Sequence, residues 1–195
     1  MTSVARRLRA DAQRNRQQLL AAAVAAFSAD GPEITLETIA RSAGVGIGTL
    51  YRHFPSREAL VDAAYRSELA RLCDSVPGLI ASRPASQALR AWLELFGEYM
   101  TTKRGMADAL RMVIASGGDP FTESRGRLLA AFDALLAAGA ADGTLRTDVS
   151  AADVLASASG IWLAAGEAAQ RAQARRLVDL LIDGLRYGTS RGHDG

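Results

Sequence analysis

Two short helical patterns separated by a glycine-marked turn fill residues 35–57, TLETIARSAGVGIGTLYRHFPSR, and neither is long enough to be stable alone. They must pack on each other and on a neighbouring helix. Thr35 is suited to cap the first, and Leu36, Ile39, Ala40 and Ala43 share one face of it. Gly44 can take the left-handed conformation that ends a helix, and Val45 can then turn inward to set the interhelical angle. The second helix spans about Ile47 to Phe54. Leu50 and Phe54 face its core, leaving Ile47, Gly48, Thr49, Tyr51, Arg52 and His53 on the outward and flanking surfaces. Small residues at a helix N-terminus allow close approach to base edges in a major groove, while hydroxyl, imidazole and guanidinium groups can hold phosphates on either side. The pattern reads as a helix-turn-helix for duplex DNA. Its candidate contacts are Thr35, Ile47, Gly48, Thr49, Tyr51, Arg52, His53 and Arg57, with Ile47, Gly48 and Arg52 nearest the bases.

The run Leu20, Ala23, Phe27, Gly31, Thr35, Ile39, Ala40, Ala43-Gly44-Val45, Gly48-Thr49-Leu50-Tyr51, His53-Phe54, Ser56-Arg57-Glu58, Leu60 resembles the TetR family of transcriptional regulators. The likeness covers about the first 65 residues; beyond them it is one of helicity and length. Two positions depart from the family pattern. Gly46 stands where a hydroxyl usually caps the recognition helix, and Leu36 where a hydroxyl or basic residue often lies near DNA. The resemblance implies a dimer formed by two helices from each subunit and a small-molecule effector site in the C-terminal part.

Composition is consistent with an all-α protein, since alanine dominates and β-branched residues are sparse. No apolar run is long enough to span a membrane, and the charges from Met1 to Arg16 leave no signal-peptide core, so a cytoplasmic location is expected. Cys73 is the only cysteine and His53 and His193 the only histidines, which argues against an internal disulfide or a structural metal. No cofactor is expected. The net charge of +2 is unevenly placed: residues 1–60 hold eight arginines against five acids. Arg6, Arg7, Arg9, Arg14 and Arg16 suit either a disordered arm beside phosphates or a merely solvated tail.

The periodicity predicts a bracing helix over about 11–30, the motif, and a connecting helix over 56–73. Arg57 falls in the first turn of that connector, where a cation opposes the helix dipole, so either a nearby anion such as phosphate or simple solvation must account for it. Pro77, Gly78 and Pro84 break the pattern over 74–86, the expected boundary region. Further helices are expected over about 85–103, 106–115, 120–138 (capped by Asp119), 151–168 and 172–187, with a tail from Ser190 outside the fold. The predicted organisation is a three-helix DNA-binding domain over 1–55, with its basic arm, and a larger helical ligand-binding and dimerisation domain over 56–190.

In the last two helices Leu155, Ile161, Leu177, Leu181 and Leu185 alternate with Ala158, Ala165, Gly166 and Gly184, the composition of an association surface or of a completed monomer core. Trp92, Phe96, Met100, Met112, Phe132 and Trp162, with Met106 and Phe121, form a set suited to an adaptable apolar pocket or to ordinary core. Their lack of charge favours a small apolar effector. Catalysis finds little support: the glycines at 44, 46 and 48 miss dinucleotide-binding spacing, and a Ser/His/Asp triad would have to use His53, inside the motif, or His193, in the tail. The reading is a homodimeric repressor with no catalytic residues, released from a palindromic operator by such an effector. A helical adaptor without DNA affinity, or a helical-bundle enzyme, are the competing classes.

Overall fold

A computed structural model describes residues 2–165 and 168–186, and among them the secondary structure is helical, without a strand, as the composition predicts. The expectations for Gly166, Tyr187, His193 and the tail from Ser190 lie outside the described residues. The chain forms two compact units, Met1–Glu68 with Thr102–Pro120, and Leu69–Thr101 with Phe121–Gly195.

In the first unit, α1 (Thr2–Asp30) places Leu19, Leu20, Ala23 and Phe27 in the core at helical spacing. Against it pack α2 (Leu36–Ser42) and α3 (Ile47–His53), which bury Leu36, Ile39, Ala40 and Leu50. The first part of α4 (Arg57–Asp74) adds Leu60, Val61, Ala64 and Tyr65 to the buried set. The unit also takes in the end of α6 (Ala85–Gly105) and all of α7 (Ala107–Ala115), which buries Ala109, Leu110 and Val113. Helix α1 begins at Thr2 where the sequence argues for Asp11, so residues 2–10 continue the helix instead of forming a disordered arm.

The second unit is built on α6, whose face of Leu89, Trp92, Leu93 and Phe96 is fully buried. It is joined by α8 (Ser124–Ala141), α9 (Ala151–Leu163) and α10 (Ala168–Arg186). Ser150 caps α9 by accepting from Asp153 N–H at 3.1 Å, as the sequence predicts. Several boundaries differ from the sequence reading, among them the start of α10, at Ala168 and not at 172. Residues 76–82, expected as an irregular boundary, form the short helix α5 (Val76–Ser82), because Pro77 sits in the first turn, where a missing N–H costs no intrahelical bond. Helix α8 starts at Ser124 and not at Pro120, since a turn intervenes in which Ser124 N–H bonds Phe121 O at 3.0 Å. The Asp119 carbonyl instead accepts from Arg66 Nη2 at 3.3 Å. Helix α9 ends at Leu163, five residues before the predicted limit.

Candidate nucleic-acid interface

The turn between α2 and α3 forms through local chemistry. Thr35 Oγ1 accepts from Thr38 N–H at 3.2 Å and contacts the Thr38 hydroxyl at 2.9 Å, so it caps α2. At the other end Gly44 has φ of +70°, and two bonds close the helix: Val45 N–H to Ala40 O and Gly44 N–H to Arg41 O, both 3.0 Å. That pair is a Schellman arrangement, which needs the left-handed residue. Gly46 then opens α3 without a side-chain cap bond. Leu50 and Phe54 are buried, at 0% and 3% exposure, and fix which side of α3 faces outward.

That outward side carries Gly48, Tyr51 and Arg52, all exposed, flanked by half-buried Ile47, Thr49 and His53. A Cβ built on Gly48 meets nothing within 4 Å, so the protein itself sets no steric reason for glycine there. Arg52 lies back along its own helix, donating from Nε to Gly48 O at 3.1 Å and from Nη2 to Thr49 Oγ1 at 2.9 Å. A base contact by Arg52 would require release of those bonds. Leu36 is buried, 7% exposed, and faces the core.

Arg57 has different partners from those the sequence suggests. Its Nη1 donates to Pro32 O and its Nη2 to Ile34 O, each at 2.7 Å, and its guanidinium carbon lies 5.8 Å from the Phe27 ring centroid. The neighbouring Glu58 carboxyl is held below its ordinary pKa by its own backbone N–H and by Ser56. Thr38 has no part in the sequence reading, and Arg16, expected there in an arm or a solvated tail, lies on the bracing helix α1. Thr38 pairs with the capping hydroxyl, and Arg16 lies with its guanidinium carbon 5.4 Å from the Phe54 ring centroid. Their signals are a polar residue three past an N-cap and a cation on the bracing helix. Of the N-terminal cations, Arg14 approaches Asp11 at 3.8 Å on the exposed surface, while the side chains of Arg6, Arg7 and Arg9 lie outside the described residues. A surface concavity of about 580 Å³ in this unit opens between α1 and α2 and is lined by alanines of α1 with Thr38 and Ser42.

In the second unit Trp92, Phe96 and Phe132 form a stacked cluster, the Trp92–Phe132 centroids 4.8 Å apart and edge-on, Trp92–Phe96 5.6 Å apart and near parallel. Trp92 Nε1–H donates to Leu72 O at 3.1 Å. Met100 and Trp162 are also buried. Met112 does not join this set: it belongs to the first unit, on α7, and is 42% exposed. On α10 the buried stripe is Ala174, Val178, Ile182 and Leu185, which turns Leu177 and Leu180 outward and leaves Leu181 half-buried. On α9 Leu155 is buried, Ile161 half-buried, and Leu163 68% exposed. Leu155 and Leu185 are therefore buried in the core, while Leu163 and Leu180, which the sequence reading did not assign to an association surface, are exposed.

A capped helix, a left-handed glycine turn and a second short helix whose outward side is open at Gly48 form a helix-turn-helix, the architecture of DNA-binding regulators. Residues 19–64 match the model for bacterial regulatory proteins of the tetR family, and residues 84–187 match the C-terminal domain of SbtR-like transcriptional regulators. The chain belongs to the TetR family. It is similar to the crystal structure of a TetR transcriptional regulator from Streptomyces coelicolor, at 57% identity over 88% of this chain and 98% of that one, with a TM-score of 0.84. A TetR regulatory protein from Mycobacterium vanbaalenii matches at 34% identity over 92% of this chain and 99% of that one, TM-score 0.77. The uncharacterized HTH-type regulator TtgW of Pseudomonas putida is 36% identical over 93 residues, 47% of this chain and 69% of that protein. No described helix is long and apolar enough to cross a membrane.

Proposed function

We propose that this regulator is a cytoplasmic, homodimeric repressor that binds a roughly palindromic operator and is released by a small apolar effector. The observation that carries the DNA reading is the outward face of α3, where Gly48 has open space above it and Tyr51 is 49% exposed. Thr35, Ile47, Gly48, Thr49, Tyr51, Arg52 and His53 supply the contacts, with Gly48 admitting the helix close to base edges. DNA reading is assigned to residues 1–55 and the ligand and dimer functions to 56–190, with 56–73 as connector, although by packing Thr102–Pro120 is grouped with the first unit.

Dimerisation is assigned to the apolar face of α9 and α10 around Leu163, Leu177 and Leu180, with Ile161 and Leu181 at its margin. The effector enters the second unit beside Trp92, Phe96, Met100, Phe132 and Trp162. Trp92, Phe96 and Phe132 touch one another, so a ligand that enters among them parts them, and only its differential affinity for the parted state can shift DNA occupancy. No catalytic role and no metal or cofactor enters this reading.

The test is Gly48→Leu, measured on the duplex flanking the protein's own gene. A Cβ at this exposed position meets nothing within 4 Å, so circular dichroism and oligomeric state are expected to be unchanged while operator binding is lost. Full affinity in the variant would remove α3 from the groove.

A further inference from the structure

The Arg57 guanidinium joins the two ends of the DNA-reading module. Its two Nη groups donate to carbonyls two residues apart, Pro32 and Ile34, in the segment that leads into the Thr35 cap of α2. Arg57 itself opens α4, three residues beyond Phe54, where α3 has just ended. Everything between, residues 35–54, is the helix-turn-helix. One side chain therefore ties the start of α2 to the exit from α3, and its guanidinium carbon lies 5.8 Å from the ring centroid of Phe27 on α1. Arg57 is half-buried, and both bonds are short for N–H···O contacts from a charged donor.

We propose that Arg57 is a positioning residue: a clamp that holds the recognition module closed, and not a phosphate contact. The inference rests on the DNA-binding reading above. Two carbonyl dipoles supply the negative potential that a cation in the first turn of α4 requires. Arginine is needed because its planar fork offers two N–H groups at fixed separation, whereas a lysine ammonium is a compact point charge on a flexible stem. A phosphate contact would instead tolerate lysine and would contribute to counterion release.

The experiment compares Arg57→Ala and Arg57→Lys in the full chain. Operator affinity is measured across a salt series, and amide hydrogen exchange at Thr38 and Ile39 is followed without DNA. These two amides bond Thr35, at 3.2 Å each, and report the α2 cap directly. Both variants are expected to lose roughly tenfold or more in affinity. The slope of log K against log salt should stay that of the wild type, and both amides should exchange faster in both variants. Wild-type affinity in Arg57→Lys, or a slope shallower by about 0.9 in Arg57→Ala, overturns the clamp. So does unchanged protection of Thr38 and Ile39, whatever DNA does. Faster exchange in a protein that binds no duplex at all would keep the clamp and remove the DNA reading instead.

Discussion

Gly97, buried in the middle of α6, gives a prediction whose sign depends on one neighbour. A Cβ placed there would lie 2.3 Å from Cζ2, 2.5 Å from Cε2 and 2.7 Å from Cη2 of Trp162, on α9. Carbon atoms settle at about 3.5–4.0 Å, so the indole would have to retreat by about 1 Å or more. Trp162 is only 7% exposed, and its ring has little room to do so. Overpacking of this kind costs about 1–3 kcal/mol, and overlap with a rigid ring lies toward the upper end. Replacing a mid-helix glycine by alanine returns about 1 kcal/mol. Gly97→Ala should therefore destabilise by about 2 kcal/mol. In a Trp162→Leu background the overlapping ring atoms are gone, and the same substitution should stabilise by up to about 1 kcal/mol. The assay is a double-mutant cycle by urea denaturation, followed by far-UV circular dichroism, which unlike tryptophan emission is the same probe in all four proteins. Equal destabilisation in both backgrounds would show that the cost does not arise at the ring. A neutral Gly97→Ala in the wild type would show that the α6–α9 approach is loose.

Two further outcomes follow from single contacts. Asp142 Oδ2 accepts from Ala85 N–H at 2.8 Å and Oδ1 contacts the Thr144 hydroxyl, and the Thr144 bond and then the Ala85 bond hold its carboxyl below the ordinary aspartate pKa. A depressed carboxyl stabilises above its unfolded pKa and loses that contribution as pH falls through the lower folded value, so Asp142→Ala should destabilise at neutral pH, by about the 0.5 kcal/mol at the low end of a lost helix cap because Asp142 is exposed and screened by solvent. The gap from wild type should close below about pH 4, and a gap independent of pH would refute the assignment. Leu180, 66% exposed on α10, should tolerate Leu180→Glu without loss of helicity, and sedimentation should show a monomer with weakened operator binding. A dimer of unchanged affinity would move the interface off this face.

The parts of the fold that the sequence shows are those set by local chemistry. Thr35, Gly44 and the spacing of Leu36, Ile39 and Ala40 place α2 and its turn within a residue, because a capping hydroxyl and a left-handed glycine act over three or four residues. Features decided across the chain are not visible in that way. Helix α6 has its first N–H groups satisfied by Asp142 and Thr144, 57 and 58 residues later, a pairing no periodicity carries. The apolar residues of α10 are readable as a helical face, but Leu177, Leu180 and Leu181 sit on its flank. A shift of one residue, about 100° around the axis, decides which of them meets solvent.

Arg57 shows how a local argument can be sound in sign and open in partner. A cation in the first turn of a helix faces the positive end of the dipole, so something negative must lie near it. Sequence offers phosphate as that partner because phosphate carries a full charge and the neighbouring motif reads DNA. The folded chain supplies two carbonyl oxygens of the α1–α2 segment, each at 2.7 Å, before any ligand arrives. Partial charges at hydrogen-bond distance in a half-buried setting can match the attraction of a full charge across solvent, since the effective dielectric falls as water is excluded. Those carbonyls become visible only when residues 25 and 23 positions earlier in the chain are brought alongside α4. A motif can thus contain an arginine that resembles a DNA contact while its free-state bonds hold in place the helices that make the contact.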